Sequence, residues 1–170
     1  TIDGYGSFVE EDTYNYFGVS GDATNTYDDV YDIPEPPVEP GNYIEFYFPH
    51  GSEWAHPWDT DKFTQDVRRE TADGDDGHFG QNLMIWTAEV VSNMDGETVL
   101  SVASINESYP GYSLYALLDG EYTAVNTDGQ DLHTYLVAGQ AKSIDFILGN
   151  IVPQAPDNLS SSSDDRSIGL

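Results

Sequence analysis

His50, His56, Asp59 and Asp61 crowd one loop, HGSEWAHPWDTD, together with Ser52, Trp54 and Trp58. Imidazole as base or ligand, a carboxylate to orient it and a hydroxyl nearby are the parts of a hydrolytic or metal centre. The spacing speaks against one. It fits no zinc pattern, and His56 precedes Pro57, so no helix holds both imidazoles on one face. Neither a GxSxG elbow nor an HExxH pair occurs. The chain also has no Cys, which removes thiolate nucleophiles, zinc ribbons and disulfides. No catalytic residue is nominated and the chain reads as a non-enzyme, with this loop capping the end of a sheet.

Oxygen donors offer a second chemistry. Asp73, Asp75 and Asp76 in ADGDDG, and Asn126, Asp128 and Asp131 in NTDGQD, alternate donors with Gly at the bend, as a calcium loop does. Ca2+ is thus the one cofactor the sequence suggests. Neither loop carries the terminal bidentate Glu of an EF-hand, and a solvated turn is the competing reading. Asp28, Asp29 and Asp32 form a third acidic cluster. A third chemistry is aromatic: Trp54 and Trp58 with Tyr43 and Tyr47 could form a platform for a sugar ring, with nearby Asp and Glu accepting hydroxyl bonds. Against it, Tyr alternation on exposed strands is common in sheets. Asn106 and Asn158 open Asn-x-Ser sequons, acceptors for glycosylation on an exported chain.

The charge narrows the partners. Thirty-one acids against five Lys and Arg give a net charge of −26 over 170 residues, and 20 of those acids are Asp. Such a surface repels phosphate backbones and anionic lipid, so neither nucleic acid nor a membrane surface is an expected partner. No run approaches the roughly 18 apolar residues of a membrane-spanning helix. Disorder would require few aromatics, yet 13% of the chain is Phe, Trp or Tyr. High external salt, bound divalent cations or a strongly hydrated secreted surface would each tolerate the charge. Opening on Thr1 rather than Met, the chain is expected to have lost an N-terminal segment or to be a fragment that excludes it, in modest keeping with export.

The elements that must position these residues are strands. NYIEFYFP (Asn42 to Pro49) alternates with period two, Ile44, Phe46 and Phe48 on one side and Tyr43, Glu45 and Tyr47 on the other. FTQDVR places Phe63, Gln65 and Val67 together. NLMIWTAEVV (Asn82 to Val91) is apolar on both faces and reads as a central strand. The turn Asn93-Met94-Asp95-Gly96 predicts a hairpin with Glu97 to Ile105. Ser113 to Leu118 and Glu121 to Val125 flank an Asp-Gly turn and predict a second hairpin. Tyr14 to Val19, His133 to Ala138 and Ser143 to Leu148 complete eight or nine strands, the last with Ile144, Phe146 and Leu148 inward. No window keeps a helical apolar period. The expected fold is all-β, an antiparallel β-sandwich of immunoglobulin or jelly-roll kind, with a barrel as the alternative. Residues 1–41 read as a Tyr/Asp-rich segment ending in a Pro-rich strap, 42–150 as the sandwich core, and 151–170 as an extended tail, linker or donor strand.

Three stretches resemble known modules. YFGVSGDATNTYDDVYDIPEPPVEPGNYIEFYFPH (Tyr16 to His50) and FTQDVR (Phe63 to Arg68) resemble a β-sandwich module of large bacterial proteins secreted by the type IX pathway. There an ATNxYDxxxDxPEPP-like segment precedes a strand ending in YFPH and then a short FTxDxR strand. PQAPDNLSSSSDDRSIGL (Pro153 to Leu170) is similar to the first strands of a fibronectin type III domain, with PQAPDNLS as strand A and RSIGL opening strand B. The likeness covers about half of the chain. It implies export, a sandwich module and a place in multidomain surface or matrix proteins, and it supplies no catalytic residue.

Together these readings describe an extracellular or cell-surface structural or adhesive module. Its expected partners are copies of itself or neighbouring domains, joined by strand addition through Asp157 to Leu170 into a filament or matrix. The alternative is a carbohydrate-binding module whose partner is a polysaccharide.

Overall fold

β-branched and aromatic residues alternating between turn formers produce strands throughout. A computed structural model of the chain describes residues 2–3, 9–69, 83–103, 113–125 and 130–149. Its strands are β1 (Ile2–Asp3), β2 (Val9–Glu10), β3 (Tyr16–Ser20), β4 (Ile44–Pro49), β5 (Lys62–Phe63) and β6 (Gln65–Arg69). There follow β7 (Leu83–Ser92), β8 (Gly96–Val102), β9 (Ser113–Leu118), β10 (Glu121–Ala124), β11 (Gln130–Leu136) and β12 (Lys142–Gly149). No helix occurs among the described residues.

The larger sheet runs β10-β9-β12-β7-β4-β5 and is antiparallel throughout. A second antiparallel sheet runs β11-β8-β1-β2. Between their inner faces lies one core, in which Phe48, Trp86, Ile144 and Phe146 of the first sheet meet Leu132 and Leu136 of β11. The all-β antiparallel sandwich expected from the alternation is the fold observed.

The Asp-Gly hairpin forms as expected. Leu118 pairs with Glu121 across Asp119 and Gly120, whose φ angles of 54° and 82° are the two left-handed positions of a type I′ turn. The first hairpin does not form. β7 has β12 on one side and β4 on the other, while β8 belongs to the second sheet. The turn between them crosses layers because its polar groups are bonded elsewhere. Asn93 accepts from the Tyr43 amide and donates to the Gly41 carbonyl, and Asp95 accepts from the Ala138 amide.

Three further readings need correction. β3 and β6 form a separate two-stranded sheet, and they pair in parallel. β4 is covered on both faces: Glu45 and Tyr47 are as buried as Ile44 and Phe48, because each finds a polar partner across the sheet. On β6 the inward residue is Asp66, while Gln65 and Val67 are half-buried. β7 is central as expected, but only one of its faces is closed, with Trp86, Ala88 and Val90 inside and Ile85 outside.

The N-terminal segment is built into the same core. Phe17 of β3 lies 4.6 Å from the Phe146 ring, stacked, and 5.3 Å from Trp86. The Pro-rich strap is laced to β5. The Ile33 carbonyl accepts from the Thr64 amide at 2.8 Å, and the Glu35 amide donates to the Lys62 carbonyl at 2.9 Å.

Candidate functional site

β4 ends at Pro49 and delivers His50 to the rim of the core, where its amide donates to the Asp61 carbonyl at 2.8 Å. β6 delivers Asp66, which is fully buried. The two side chains meet: His50 Nε2 lies 2.9 Å from Asp66 Oδ2. Arg68, two residues along on the same face of β6, donates from Nε to Asp66 Oδ1 at 2.9 Å and from Nη2 to Oδ2 at 2.7 Å. Its remaining Nη1 reaches the Ile85 carbonyl at 2.8 Å, and the guanidinium lies 5.7 Å from the centre of the Trp86 ring. Burial pushes the Asp66 carboxyl up, but the His50 and Arg68 bonds outweigh it and hold the group below the usual aspartate range.

This imidazole–carboxylate pair is closed to substrate. Trp54 is stacked on His50 with centroids 3.4 Å apart and planes 6° from parallel, and Nδ1 faces Glu53 at 3.6 Å. His50 is 7% exposed. With one ring face covered and Nε2 committed to a saturated carboxylate, the geometry is that of a clamp joining β4, β6 and β7. The side chains of Ser52, Asp59 and Asp61 take no part in it, although the Asp61 carbonyl holds the His50 amide. Asp66 escaped the sequence reading because the alternation of FTQDVR puts Phe63 and Val67 on the opposite side. An acid and an Arg two apart in a short strand are the signal that could have found the clamp.

A second acidic knot sits under the strap. Asp32 accepts the Asp28 amide at 2.7 Å and the Val67 amide at 3.1 Å, and burial pushes its carboxyl up to about 6 despite those bonds. Asp12 accepts the Phe46 amide at 2.5 Å and Asn15 Nδ2 at 3.0 Å. Lys62 Nζ is 2.5 Å from Glu45 Oε2 and 4.4 Å from the centre of the Tyr47 ring. Burial, with Asp12 and Glu45 adding like charge, pushes Glu35 up to about 7, and its Oε2 is buried without a hydrogen-bond partner.

The four aromatics do not form one exposed platform. Trp54 is 6% exposed, stacked on His50 and edge-on to Phe63 at 5.2 Å. Tyr47 is buried, and its hydroxyl donates to Glu89 Oε2 at 2.6 Å. Burial, then that bond, pushes the phenol well above its ordinary range. Tyr43, the residue before β4, is half-buried. Trp58 alone of the four is well exposed, at 50%, and its Nε1 donates to Tyr27 Oη at 2.8 Å. It lines an open cleft of about 490 Å³ with Tyr27, Asp28, Asp29 and Pro57.

Asp131, on β11, accepts from Ser101 Oγ at 2.6 Å. Asp73, Asp75, Asp76, Asn126 and Asp128 lie outside the described residues, as do Asn106, Asn158 and the segment Asp157 to Leu170. Among the described residues no three His, Asp or Glu side chains converge as a metal site.

The strand expected at His133 to Ala138 is β11, which begins three residues earlier and is the long outer strand of its sheet. It pairs with β8 through all seven residues and, among the described residues, with nothing on its other side. Comparison with known proteins yields no matching family model, no matching curated protein and no matching solved structure.

Proposed function

We propose that this chain is an extracellular structural or adhesive sandwich module that joins its neighbours by strand addition along β11. The observation that carries the reading is the edge from Gln130 to Leu136, which is open among the described residues. An outer strand of seven residues presents a row of amides and carbonyls that a further strand can pair with. Its side chains suit a half-buried neighbour, since Leu132, Thr134 and Leu136 face the core while Asp131, His133 and Tyr135 face out. The donor is Asp157 to Leu170, whose 14 residues span about 46 Å when extended, about twice the length of β11. A donor that enters the next copy rather than its own sheet gives a head-to-tail contact that does not close and grows a filament. The net charge of −26 supports an exported, strongly hydrated surface, with Ca2+ or salt as counter-ions.

Sedimentation of the full chain and of residues 1–156 tests this. The full chain is expected to show concentration-dependent assembly, and the shortened chain to remain a folded monomer that recovers binding when a 157–170 peptide is added. Equal assembly by both chains would refute the proposal.

A further inference from the structure

Of the three Trp side chains, Trp54 and Trp86 are buried at 6% and 1% exposure, while Trp58 leaves half its surface in solvent. It is nonetheless held in place. Its only polar atom is occupied by Tyr27 Oη, and the Tyr27 ring packs on Trp54 at 6.5 Å, His56 at 5.7 Å and Phe63 at 6.0 Å. A core-anchored indole with its N–H already satisfied offers an apolar, electron-rich surface to the cleft.

The rest of the lining is acidic. Asp28 is fixed by a tight turn, its amide donating to buried Asp32 and its carbonyl accepting from Tyr31 and Asp32. Asp28 Oδ1 accepts from the Val30 amide at 3.1 Å. The other Asp28 oxygen and the Asp29 carboxylate have no hydrogen-bond partner among the described residues. Among the described residues no Lys or Arg lines the cleft. Of the four described Lys and Arg side chains, Lys62, Arg68 and Lys142 are committed to Glu45, Asp66 and Asp119, and the exposed Arg69, whose amide is bonded to Thr24 and Asn25, is not part of the lining.

We infer that the Trp58–Asp28–Asp29 cleft binds an amino-sugar unit of a polysaccharide. A pyranose presents a flat face of C–H groups that matches an indole in extent. Its hydroxyls find acceptors in the two carboxylates, and its protonated amine complements both their charge and the ring face. An anionic sugar is repelled, and a neutral one leaves the carboxylates without a cation. This site is independent of the β11 edge.

The test is titration with a glucosamine hexamer at physiological salt, read by calorimetry and by protection of Trp fluorescence from acrylamide, in the full chain and three variants. Binding is expected, with protection confined to the exposed Trp. N-acetylation of the hexamer should weaken it roughly tenfold, the value of one charge-assisted contact. Trp58→Ala should abolish binding. The double variant Asp28→Asn, Asp29→Asn, which keeps an acceptor for the Val30 amide, should weaken it by a similar factor without touching the indole. Tyr27→Phe, which frees the indole N–H, should weaken it while leaving the dependence on N-acetylation intact. Three results would overturn the inference. They are equal affinity for the N-acetylated or a neutral glucose hexamer, tighter Trp58-dependent binding of a lysine hexamer, and binding that survives Trp58→Ala. The last would show only the general attraction of a polycation to a chain of charge −26. Should Trp58→Ala fail to fold, unchanged affinity in the double Asp variant refutes it equally.

Discussion

Glu35→Gln should stabilise the protein at pH 8 and leave it unchanged at pH 4. Glu35 is pinned by its own amide on the Lys62 carbonyl, and its side chain faces Asp12 and Glu45 with Lys62 as the neighbouring cation. Burial first, then those two carboxylates, lift its pKa from 4.5 to about 7. A carboxyl whose folded value lies above its unfolded value binds its proton more tightly in the native state. Its stabilising contribution is therefore complete below pH 4.5 and lost as the pH rises through 7. The rise corresponds to roughly 3 kcal/mol at about 1.4 kcal/mol per tenfold change in proton affinity. Glu35 is only half-buried, and solvent screening reduces this to about 1–2 kcal/mol. Gln keeps the shape, removes the charge and can donate to the carboxylates beside it. Thermal melts of both proteins from pH 4 to 9 at constant ionic strength isolate the effect, because the general repulsion among acids is common to the pair. The expected difference is about 3–6 °C at pH 8 for a chain of this size, closing to zero near pH 4. A difference independent of pH, or a less stable Gln variant at pH 8, would refute the burial argument.

Asp66→Asn leaves the half-buried Arg68 against a neutral amide and should cost about 2–4 kcal/mol, measured by urea unfolding at pH 7. Its pH signature is opposite to that of Glu35, because Asp66 has a lowered pKa. The stability it confers is present above pH 3.8 and lost as the pH falls below it, whereas that of Asp32 is lost as the pH rises through about 6. The unmodified protein should therefore be most stable between about pH 4 and 6, seen as a maximum in melting temperature. Trp54→Ala removes the cover of His50 and an edge contact to Phe63, and should cost about 3–5 kcal/mol, while Trp58→Ala should change the melting temperature by far less. Gly120→Ala forces a side chain into φ of +82° with open space around it, so the cost is backbone strain alone, about 1–2 kcal/mol by urea unfolding. If Ca2+ is held by Asp73, Asp75 and Asp76 or by Asn126, Asp128 and Asp131, micromolar calcium should raise the melting temperature where NaCl of equal ionic strength does not.

Strand positions were legible because alternation reports which side of a strand is apolar. β4, β9, β10 and β12 lie within a residue or two of where their patterns put them, and the Asp119-Gly120 turn follows from backbone conformation alone. Partnership was not legible. Alternation names a face and never a neighbour, so nothing in YNYFGV foretold a parallel mate in β6. Nothing in the Asn93–Gly96 turn revealed that the chain there passes from one sheet to the other. Buried polar groups were missed for a related reason. Glu45, Asp66 and Asp32 look solvated in a sequence this acidic, and only three-dimensional pairing with Lys62, with Arg68 and His50, and with backbone amides makes their burial tolerable. Trp54 and Trp58 are equivalent as letters four apart in one loop. The stack on His50 draws one inward, and the bond to Tyr27 holds the other at the surface.

Amide hydrogen exchange along β11, compared between the full chain at assembling concentration and residues 1–156, tests the strand-addition account most directly. Amides of Gln130 to Leu136 that point away from β8 should exchange slowly in the full chain and quickly in the shortened one, while those bonded to β8 remain equally protected in both. Fast exchange of the outward amides in assembled full-length protein would place the contact elsewhere and contradict the account.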